Sequence, residues 1–382
     1  MQKKLTETLS KYTKIVLIGG GTGGHIQPIV SIVRILECRK VGILDSPKFL
    51  WLGGSNSQEE KTARENDIVF DTISTLKLST TTSPKILLYP FVLVKGIIEA
   101  RQILSKIKNS NTPTLQHSIC LFSKGGPGSV AIGVAGWSLG IPLYIHESDT
   151  IPGRSNRILG KLAKRIFLGF ESASKYFNER KCEVVGQILD PVFYRYCEAG
   201  AYPAQWESNP ENNKENFIST GSPSFTRDHG NKIHWKTTKP HILVICGSQG
   251  SRSIFEEIIK KYSDHNEYEW IIALGRLNSG MKDTFAKMNN CQAEEWISQA
   301  DLASLIYKAD LAITRASATT LAELTIFSNS QPHLIMIPLP YSAGNHQYYN
   351  AIEYQKVGHS LLEQKNIHKL TEIITQHVKH NS

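Results

Sequence analysis

Residues 14–28 read KIVLIGGGTGGHIQP, which is an apolar run followed by a cluster of glycines and then His25. Four consecutive apolar residues, 15–18, are typical of a parallel strand that is buried on both faces. Glycines after such a strand allow a tight turn and let backbone N–H groups approach an anion at the start of the next helix. The stretch from Gly19 to Gly24 fits G-x-G-x-x-G. It predicts an α/β domain with a ligand at this turn; the alternative is a tight turn without a ligand.

The same succession of strand, loop and helix continues on the C-terminal side of this stretch. In the first half, strands are predicted at 14–19, 49–54, 118–123, 141–147 and 165–170, and helices at 28–39, 129–140 and 154–165. In the second half, strands are predicted within 241–251 and at 269–275, 293–298, 311–314 and 334–340. This alternation indicates doubly wound α/β domains, whose ligands bind outside the carboxyl ends of the strands.

The domain organisation follows from a change in composition between about residues 197 and 240. This stretch is polar and rich in Asn, Ser, Gly and Pro, which is typical of a linker or a surface insertion. We expect an N-terminal domain at 1–190, a linker with a polar insertion at 191–240, a C-terminal domain at 241–365, and a helix and tail at 366–382. Two domains also suit the length of 382 residues, because one core rarely grows beyond about 250–300 residues.

Composition narrows the class of protein. The chain is 40% hydrophobic, carries a formal net charge of +9 and has six cysteines without CxxC spacing, so we expect neither a disulfide framework nor a zinc site. No run approaches the roughly 18 apolar residues of a membrane-spanning helix, and the N-terminal residues lack the apolar centre of a signal peptide. We therefore expect a cytoplasmic protein. The positive charge favours an anionic partner, either nucleic acid, an acidic membrane surface or a phosphorylated substrate.

Two loops of the second half also have the composition of phosphate-binding turns. CGSQGSRS (246–253) is a second glycine-containing turn that directly follows a predicted strand. TRASATTLAELT (314–325) opens a helix with small residues, and the dipole of such a helix favours a phosphate at its N-terminus. Glu323 lies one turn further in, where a carboxylate suits a ribose diol. The ordinary explanation of this stretch is a capping box.

The last loop, LPYSAGNHQYYNA (339–351), places Gln347 and Asn350 three residues apart on one face of a starting helix. Side-chain amides both donate and accept hydrogen bonds, which suits sugar hydroxyls. A polar helix surface is the alternative. Because a diphosphate loop, a ribose-binding acid and sugar-binding amides occur in order within one domain, together they favour a nucleotide-sugar site.

These motifs resemble those of the MurG family, which transfers N-acetylglucosamine from UDP-N-acetylglucosamine to lipid-linked muramyl-pentapeptide in peptidoglycan synthesis. The stretches that carry the resemblance are GGTGGHIQP, GWSLGIPLYIHESDTIPGRSNRI, CGSQGSR, RASATTLAEL and NHQYYNA, in the family's order. The resemblance implies a type B glycosyltransferase fold, with two Rossmann-like doubly wound domains facing a cleft. It also implies an inverting, metal-independent reaction without a cofactor.

Site residues follow from the same resemblance. His25 is our candidate general base, because a neutral imidazole accepts a proton near neutral pH, and Glu147 and His146 are the competing candidates. The alternative for His25 is that it binds the acceptor diphosphate or caps the helix. The implied donor-binding residues are Thr22, Gly23, Gly24, Asp149, Ser248, Gln249, Gly250, Ile297, Ala318, Thr319, Thr320, Leu321, Ala322, Glu323, Gln347 and Asn350. Asp149 stands where many members of the family have Asn.

Two further positions depart from the family pattern. Pro127, in SKGGPGS, stands where members commonly have an aromatic residue. Asp190, in GQILD, stands where members have an arginine. The second exchange replaces a positive contact to the donor by a carboxylate. Either donor binding is weaker, or another residue supplies the positive charge.

The implied acceptor is a lipid, and residues 83–104 carry an apolar run flanked by Lys85, Lys95 and Arg101. Such a segment suits an anionic membrane interface, and an ordinary buried helix is the alternative. We expect a peripheral protein on the cytoplasmic face of the bacterial membrane. Its expected partners are UDP-N-acetylglucosamine, the lipid-linked muramyl-peptide and the anionic membrane surface, and we expect no nucleic acid.

Other functions stay open on the sequence alone. A nicotinamide-dependent oxidoreductase would use the turn at 19–24, but it needs an acid after the second strand, which instead ends WLGGS. A related glycosyltransferase with another lipid acceptor would use all four loops. A non-catalytic nucleotide-sugar-binding protein would also use them.

Overall fold

The computed structural model describes residues 3–38, 48–75, 88–109, 118–198, 233–327 and 331–378. The chain divides into an N-terminal unit, Met1–Asp190, and a C-terminal unit, Pro191–Ser382. Each unit is built on its own parallel β-sheet. None of the helices within the described ranges is both long and apolar enough to span a lipid bilayer.

The N-terminal unit contains a sheet of seven parallel strands in the order β3-β2-β1-β4-β5-β6-β7. The strands are β1 (Lys14–Gly19), β2 (Lys48–Gly54), β3 (Val69–Ile73), β4 (Ile119–Gly125), β5 (Leu143–Glu147), β6 (Arg165–Leu168) and β7 (Cys182–Val184). The helices are α1 (Lys3–Leu9), α2 (Gly23–Cys38), α3 (Gln58–Glu65), α4 (Tyr89–Asn109), α5 (Ser129–Ser138) and α6 (Arg154–Leu162).

Helices cover both faces of this sheet, as the apolar run of β1 requires. Ile15 and Leu17 pack in one core with residues of α1 and α2. Val16 and Ile18 point to the other face and pack in a second core with residues of α4, α5 and α6. A strand buried on both faces has no polar side to present to water, which is why it reads as a continuous apolar stretch.

The C-terminal unit repeats this plan with six parallel strands in the order β10-β9-β8-β11-β12-β13. The strands are β8 (His241–Ile245), β9 (Glu269–Ala273), β10 (Cys291–Glu294), β11 (Leu311–Thr314), β12 (His333–Met336) and β13 (Ser360–Leu361). The helices are α7 (Pro191–Glu198), α8 (Arg252–Tyr262), α9 (Lys282–Phe285), α10 (Gln299–Lys308), α11 (Ala318–Leu324), α12 (His346–Gln355) and α13 (Leu370–Val378). Its core joins Val244, Phe255, Trp270 and Ile374.

Both sheets therefore reverse their strand order after the first strand of the unit, between β1 and β4 and between β8 and β11. In open α/β sheets, ligands bind at this reversal, outside the carboxyl ends of the strands. The predicted α/β class is confirmed, and every predicted strand overlaps an observed one. The predicted linker at 191–240 begins with α7, and its residues 199–232 lie outside the described part of the chain.

Candidate functional site

The reversal point of the N-terminal unit is formed by two glycine loops that pack against each other. Gly21, at φ +85°, lies so close to Pro127 that an added Cβ atom would come 2.8 Å from the proline Cδ. A Cβ atom on Gly126 would lie 2.4 Å from the carbonyl oxygen of Gly20. These glycines are therefore required for the approach of one loop to the other. Pro127, a departure from the family pattern, is part of this packing.

The loop after β1 also packs against the buried carboxylate of Glu59. The Gly21 N–H donates to Oε2 of Glu59 over 3.3 Å, and Glu59 is buried at the start of α3. A Cβ atom on Gly20 would lie 2.5 Å from Oε1 of the same side chain. The Gly21 N–H belongs to the loop whose backbone amides were predicted to approach an anion. It is instead bonded to Glu59 within the protein.

His25 lies in the first turn of α2, directly behind this loop, and is half-buried. Its Nδ1 lies 3.0 Å from the carbonyl oxygen of Gly20. A carbonyl oxygen only accepts, so Nδ1 carries the proton and Nε2 of the neutral ring carries the lone pair. The backbone therefore holds the tautomer that accepts a proton through Nε2. Thr22 and Gly24, beside it, are exposed.

Glu147, the last residue of β5, is buried and organises the loop that follows it. Its Oε1 accepts from the Asp149 N–H over 3.0 Å, and its Oε2 accepts from the Gly153 N–H over 3.2 Å and from Nδ2 of Asn156 over 2.9 Å. Burial, and then the charge of Asp149, raises the pKa of Glu147 to about 7. The carboxyl group therefore changes its charge near neutral pH.

His146, the neighbouring base candidate, is fully buried. Its Nε2 donates to the carbonyl oxygen of Gly186 over 2.9 Å, and its Nδ1 accepts from Nζ of Lys124 over 2.6 Å. Burial and the lysine charge hold the pKa of His146 well below its usual range. The ring is neutral and enclosed, so the structure does not favour it as the base that meets a substrate.

Lys124 is a residue that the sequence argument missed. It lies near the end of β4 and is fully buried, and its Nζ also donates to Oγ of Ser148 over 2.6 Å. Burial lowers its pKa to about 8. The available signal was a lysine that interrupts the apolar run CLFS immediately before two glycines.

Asp190, the second departure, has a partner inside its own unit. Its Oδ2 accepts from Nη1 of Arg34 on α2 over 2.6 Å, and Asp190 is buried. Nη2 of the same arginine donates to Oδ1 of Asn66 over 2.9 Å. The carboxylate of Asp190 is therefore paired with Arg34 within the N-terminal unit.

In the C-terminal unit, the loops after β8 and β9 approach backbone to backbone. A Cβ atom on Gly250 would lie 1.8 Å from the carbonyl oxygen of Leu274, and one on Gly275 would lie 2.3 Å from the Gly250 nitrogen. Both glycines have positive φ. Gly250 is thus required by packing, while Ser248 is half-buried and Gln249 is exposed in the same loop.

Arg315, directly after β11, joins the loops of this reversal point. Its guanidinium donates to the carbonyl oxygens of Ile337 and Pro338 over 3.0 and 3.1 Å. It also donates to Oγ of Ser251 over 2.7 Å and to Oε1 of Gln364 over 2.8 Å. Arg315 is buried, and burial lowers its pKa. All of these partners are neutral, so the guanidinium places a positive charge beside these loops. No role was assigned to Arg315 from the sequence.

Helix α11 begins beside Arg315. Its N-cap residue, Ser317, makes no side-chain capping bond, so the expected alternative of a capping box does not form there. Glu323 is buried one turn into the helix. The other candidates of this segment are buried (Ala318, Thr320, Leu321) or half-buried (Thr319, Ala322).

The two amides of loop four lie in different surroundings. Gln347 is half-buried, and its Oε1 accepts from the Leu339 N–H over 2.9 Å, which closes the loop before α12. Asn350 is fully buried, and its Nδ2 donates to the carbonyl oxygen of Ala316 over 3.2 Å. The inner amide thus contacts the backbone just before α11, and the outer one closes its own loop. Ile297 buries its side chain beyond β10.

Among the residues that the structure describes, no group of three or more His, Cys, Asp or Glu side chains has an arrangement that could hold a metal ion.

Comparison with known proteins covers both units. The glycosyltransferase family 28 N-terminal domain matches residues 15–168, and the family 28 C-terminal domain matches residues 241–382. These two ranges contain both strand reversals and their loops.

Curated relatives align along nearly the whole chain. The UDP-N-acetylglucosamine--N-acetylmuramyl-(pentapeptide) pyrophosphoryl-undecaprenol N-acetylglucosamine transferase of Sulfurihydrogenibium sp. (strain YO3AOP1) is 26% identical over 371 residues, 93% of this chain and 86% of the relative. The transferase of the same name from Staphylococcus carnosus (strain TM300) is 31% identical over 353 residues, 91% of this chain and 83% of the relative.

A solved structure, MurG of Acinetobacter baumannii, has a TM-score of 0.64 at 18% identity and covers 96% of this chain and 92% of its own. This likeness confirms the expected type B glycosyltransferase fold class. Taken with the matches to both family 28 domains and with relatives at 26–31% identity, it identifies the chain as a member of glycosyltransferase family 28 and, within it, of the MurG family.

Proposed function

We infer that this chain transfers N-acetylglucosamine, with inversion, from UDP-N-acetylglucosamine to the C4 hydroxyl of undecaprenyl-diphosphate-linked N-acetylmuramyl-pentapeptide. The observation that carries this proposal is the match to named transferases over 91–93% of the chain, through the loops at both strand reversals. In this proposal the N-terminal unit serves the acceptor and the C-terminal unit serves the UDP-sugar.

His25 is the proposed general base. A sugar hydroxyl attacks only slowly until its proton is removed, and a positioned base contributes about 10²–10⁴-fold. The bond from Nδ1 of His25 to the Gly20 carbonyl supports this role, because it leaves Nε2 as the proton acceptor. Glu147 is the second candidate, since its pKa of about 7 suits a base, but its oxygens already accept three hydrogen bonds within the protein.

The departing UDP carries negative charge on its diphosphate, and positive groups that are already in place stabilise such charge most effectively. We assign this role to the amides that open α11, to Ser248, and to the field of the buried Arg315. Arg315 supports the proposal because its bonds go to neutral groups, so its charge is not cancelled by a carboxylate at contact distance among the described residues.

The proposed membrane contact is the surface of α4. Phe91, Val94 and Ile98 on this helix, and Leu88 directly before it, are each more than half exposed. The helix carries four basic residues (Lys95, Arg101, Lys106 and Lys108) and one acidic residue (Glu99). Trp137 on the adjacent α5 is exposed as well. An apolar stripe with basic neighbours suits the anionic headgroups of the cytoplasmic face of the membrane. Residues 83–87 of the predicted segment lie outside the described part.

A donor panel tests the proposed function. Purified protein is given a lipid-linked muramyl-pentapeptide acceptor and, in parallel, UDP-N-acetylglucosamine, UDP-glucose, UDP-N-acetylgalactosamine or UDP-galactose. We expect turnover with UDP-N-acetylglucosamine to exceed every other donor by at least about tenfold. Preference for another sugar would overturn the donor assignment. Release of UDP with a lipid-linked sugar acceptor that lacks the muramyl-peptide, at an equal rate, would overturn the acceptor assignment.

A further inference from the structure

Lys124 is a buried lysine whose ammonium group contacts only neutral hydrogen-bond partners among the described residues. Lysine is almost never fully buried unless it is paired, yet Lys124 is only 1% exposed. Its Nζ lies 2.6 Å from Nδ1 of His146 and 2.6 Å from Oγ of Ser148, and both of these groups are neutral. Among the described residues, no carboxylate forms a contact ion pair with it. Hydrogen bonds alone do not offset the cost of burying an ammonium group, so a negative charge at slightly longer range is required.

Two carboxylates supply that charge. Glu147 is buried at the end of the neighbouring strand, and Asp149 follows it in the loop, with its own N–H bonded to Oε1 of Glu147. Both raise the pKa of Lys124 against the larger effect of burial. In return, Lys124 lowers the pKa of Glu147, while burial and Asp149 raise it. The three groups therefore form one cluster, in which the pKa of Glu147 and the pKa of Lys124 each depend on the charges of the other members.

No other charge in the described surroundings takes over the role of Lys124. Helix α5 contains no charged residue. Helix α6 presents the neutral amide of Asn156 to Glu147, while its Arg154 and Arg157 are exposed. On the next strand, Arg165 pairs with Glu183. His25 bonds to the Gly20 carbonyl, and His146 is neutral.

We propose that Lys124 is the internal counter-ion of Glu147 and Asp149 and that it thereby holds the loop at 148–153 in its working shape. Lys124 is a positioning residue, because its enclosed Nζ acts through its neighbours. Without this cation the two carboxylates repel each other, and Glu147 takes up a proton at a higher pH. A protonated Glu147 loses acceptor capacity toward the three donors that tie the loop, so the loop loosens.

The test compares three variants. Lys124→Met removes the charge at nearly constant length, and we expect the acid limb of the pH dependence of kcat to move upward by about one pH unit. Asp149→Asn alone moves it downward. The double variant, Lys124→Met with Asp149→Asn, removes one charge of each sign, and we expect its acid limb to move back from that of Lys124→Met to the position of the parent or below it. Lys61→Met, at a side chain 79% exposed, is the control and leaves the profile in place.

The measurement of kcat rests on the proposed transferase function. A second measurement therefore uses the protein without any substrate. The free energy of unfolding is measured against pH for the same proteins. A carboxyl whose pKa is raised by folding loses stability as pH rises between its ordinary value, about 4.3, and its folded value. We expect this decline to extend to higher pH in Lys124→Met and to recover in the double variant. If no transferase activity is found at all, this measurement alone decides the inference.

A purely structural role predicts a different pattern. Lys124→Met would then lower kcat and stability equally at every pH, and Asp149→Asn would not restore either quantity. That result would overturn the inference. If Lys124→Met does not fold, Asp149→Asn still tests the coupling, because an unmoved acid limb together with an unmoved stability profile contradicts it.

Discussion

The two strand reversals share one strand order but differ in the chemistry at their carboxyl ends. In the N-terminal unit, the ends of β4 and β5 carry Lys124, His146 and Glu147, and His25 follows β1. In the C-terminal unit, the corresponding place holds Arg315, bonded to neutral hydroxyl, amide and carbonyl groups. The first arrangement changes its protonation near neutral pH, and the second is a fixed positive charge. In the proposed mechanism, the first arrangement serves proton transfer and the second stabilises the charge of the leaving group.

The largest effect is expected at His25. His25→Ala should lower kcat by about 10²-fold or more, which corresponds to about 2.7 kcal/mol of barrier, because the proton acceptor at Nε2 is lost. The Michaelis constant for the donor should change little. Steady-state kinetics with both substrates varied measure this. A raised acceptor Michaelis constant with near-normal kcat would instead assign His25 to acceptor binding, and Glu147 would become the base to test.

A smaller effect, on binding rather than turnover, is expected in the C-terminal unit. Glu323→Ala removes the proposed acceptor for the ribose hydroxyls and should raise the donor Michaelis constant by about tenfold, the equivalent of about 1.4 kcal/mol. Because Glu323 is buried, Glu323→Gln serves as the variant of matched size and should raise it in the same direction. Glu256→Gln, at an exposed pair on α8, is the control. Unchanged donor affinity in both Glu323 variants would remove the ribose role.

The third prediction separates the pH dependence of stability from that of activity. His333, at the start of β12 and so at the opposite end of that strand from the candidate site, has a pKa lowered to about 4 by burial and by His377 and His359. The unfolded chain takes up this proton near pH 6.5, so stability falls as pH drops from about 6.5 toward 4. His333→Leu should therefore lose less Tm between pH 7.5 and pH 5 than the parent.

His265→Leu, at an exposed histidine, is the control for this measurement. The acid limb of kcat should be the same in His333→Leu and in the parent. An identical loss of Tm in His333→Leu and the parent would show that His333 does not govern the acid sensitivity of the C-terminal unit.

The smallest effect is expected at the membrane surface. Phe91→Ser should weaken binding to anionic liposomes about threefold to tenfold, since a large apolar side chain no longer enters the interface. Val357→Ser, 72% exposed on the C-terminal unit, should leave binding unchanged. Binding of the parent should fall between about 0.1 and 1 M salt, where the screening length drops from about 10 to 3 Å. Equal binding to neutral and anionic liposomes would contradict the electrostatic part.

How far the sequence predicted the fold depended on burial. Strands covered on both faces, such as β1 and β8, were predicted because only apolar side chains satisfy both cores. The strands missed were β3, β7 and β13, all at sheet edges. β3 is largely exposed and reads VFDTI, without an apolar run. The remaining edge strand, β10, was predicted at 293–298, but it begins at Cys291 and ends at Glu294. An edge strand is held mainly by backbone hydrogen bonds, which leave little trace in side-chain pattern.

The candidate site, like the fold, has features that the sequence predicts and features that depend on long-range contacts. The sequence by itself determined the α/β class, the glycine turns and the family, because each depends on residues that are neighbours along the chain. Only the tertiary structure brought Lys124 to His146, Arg34 to Asp190 and Arg315 to Ser251. These partners are 22, 156 and 64 residues apart along the chain. A local sequence pattern indicates which side chains of a strand are buried. The electrostatic free energy of a charged group depends on its burial and on neighbouring groups that are distant in sequence.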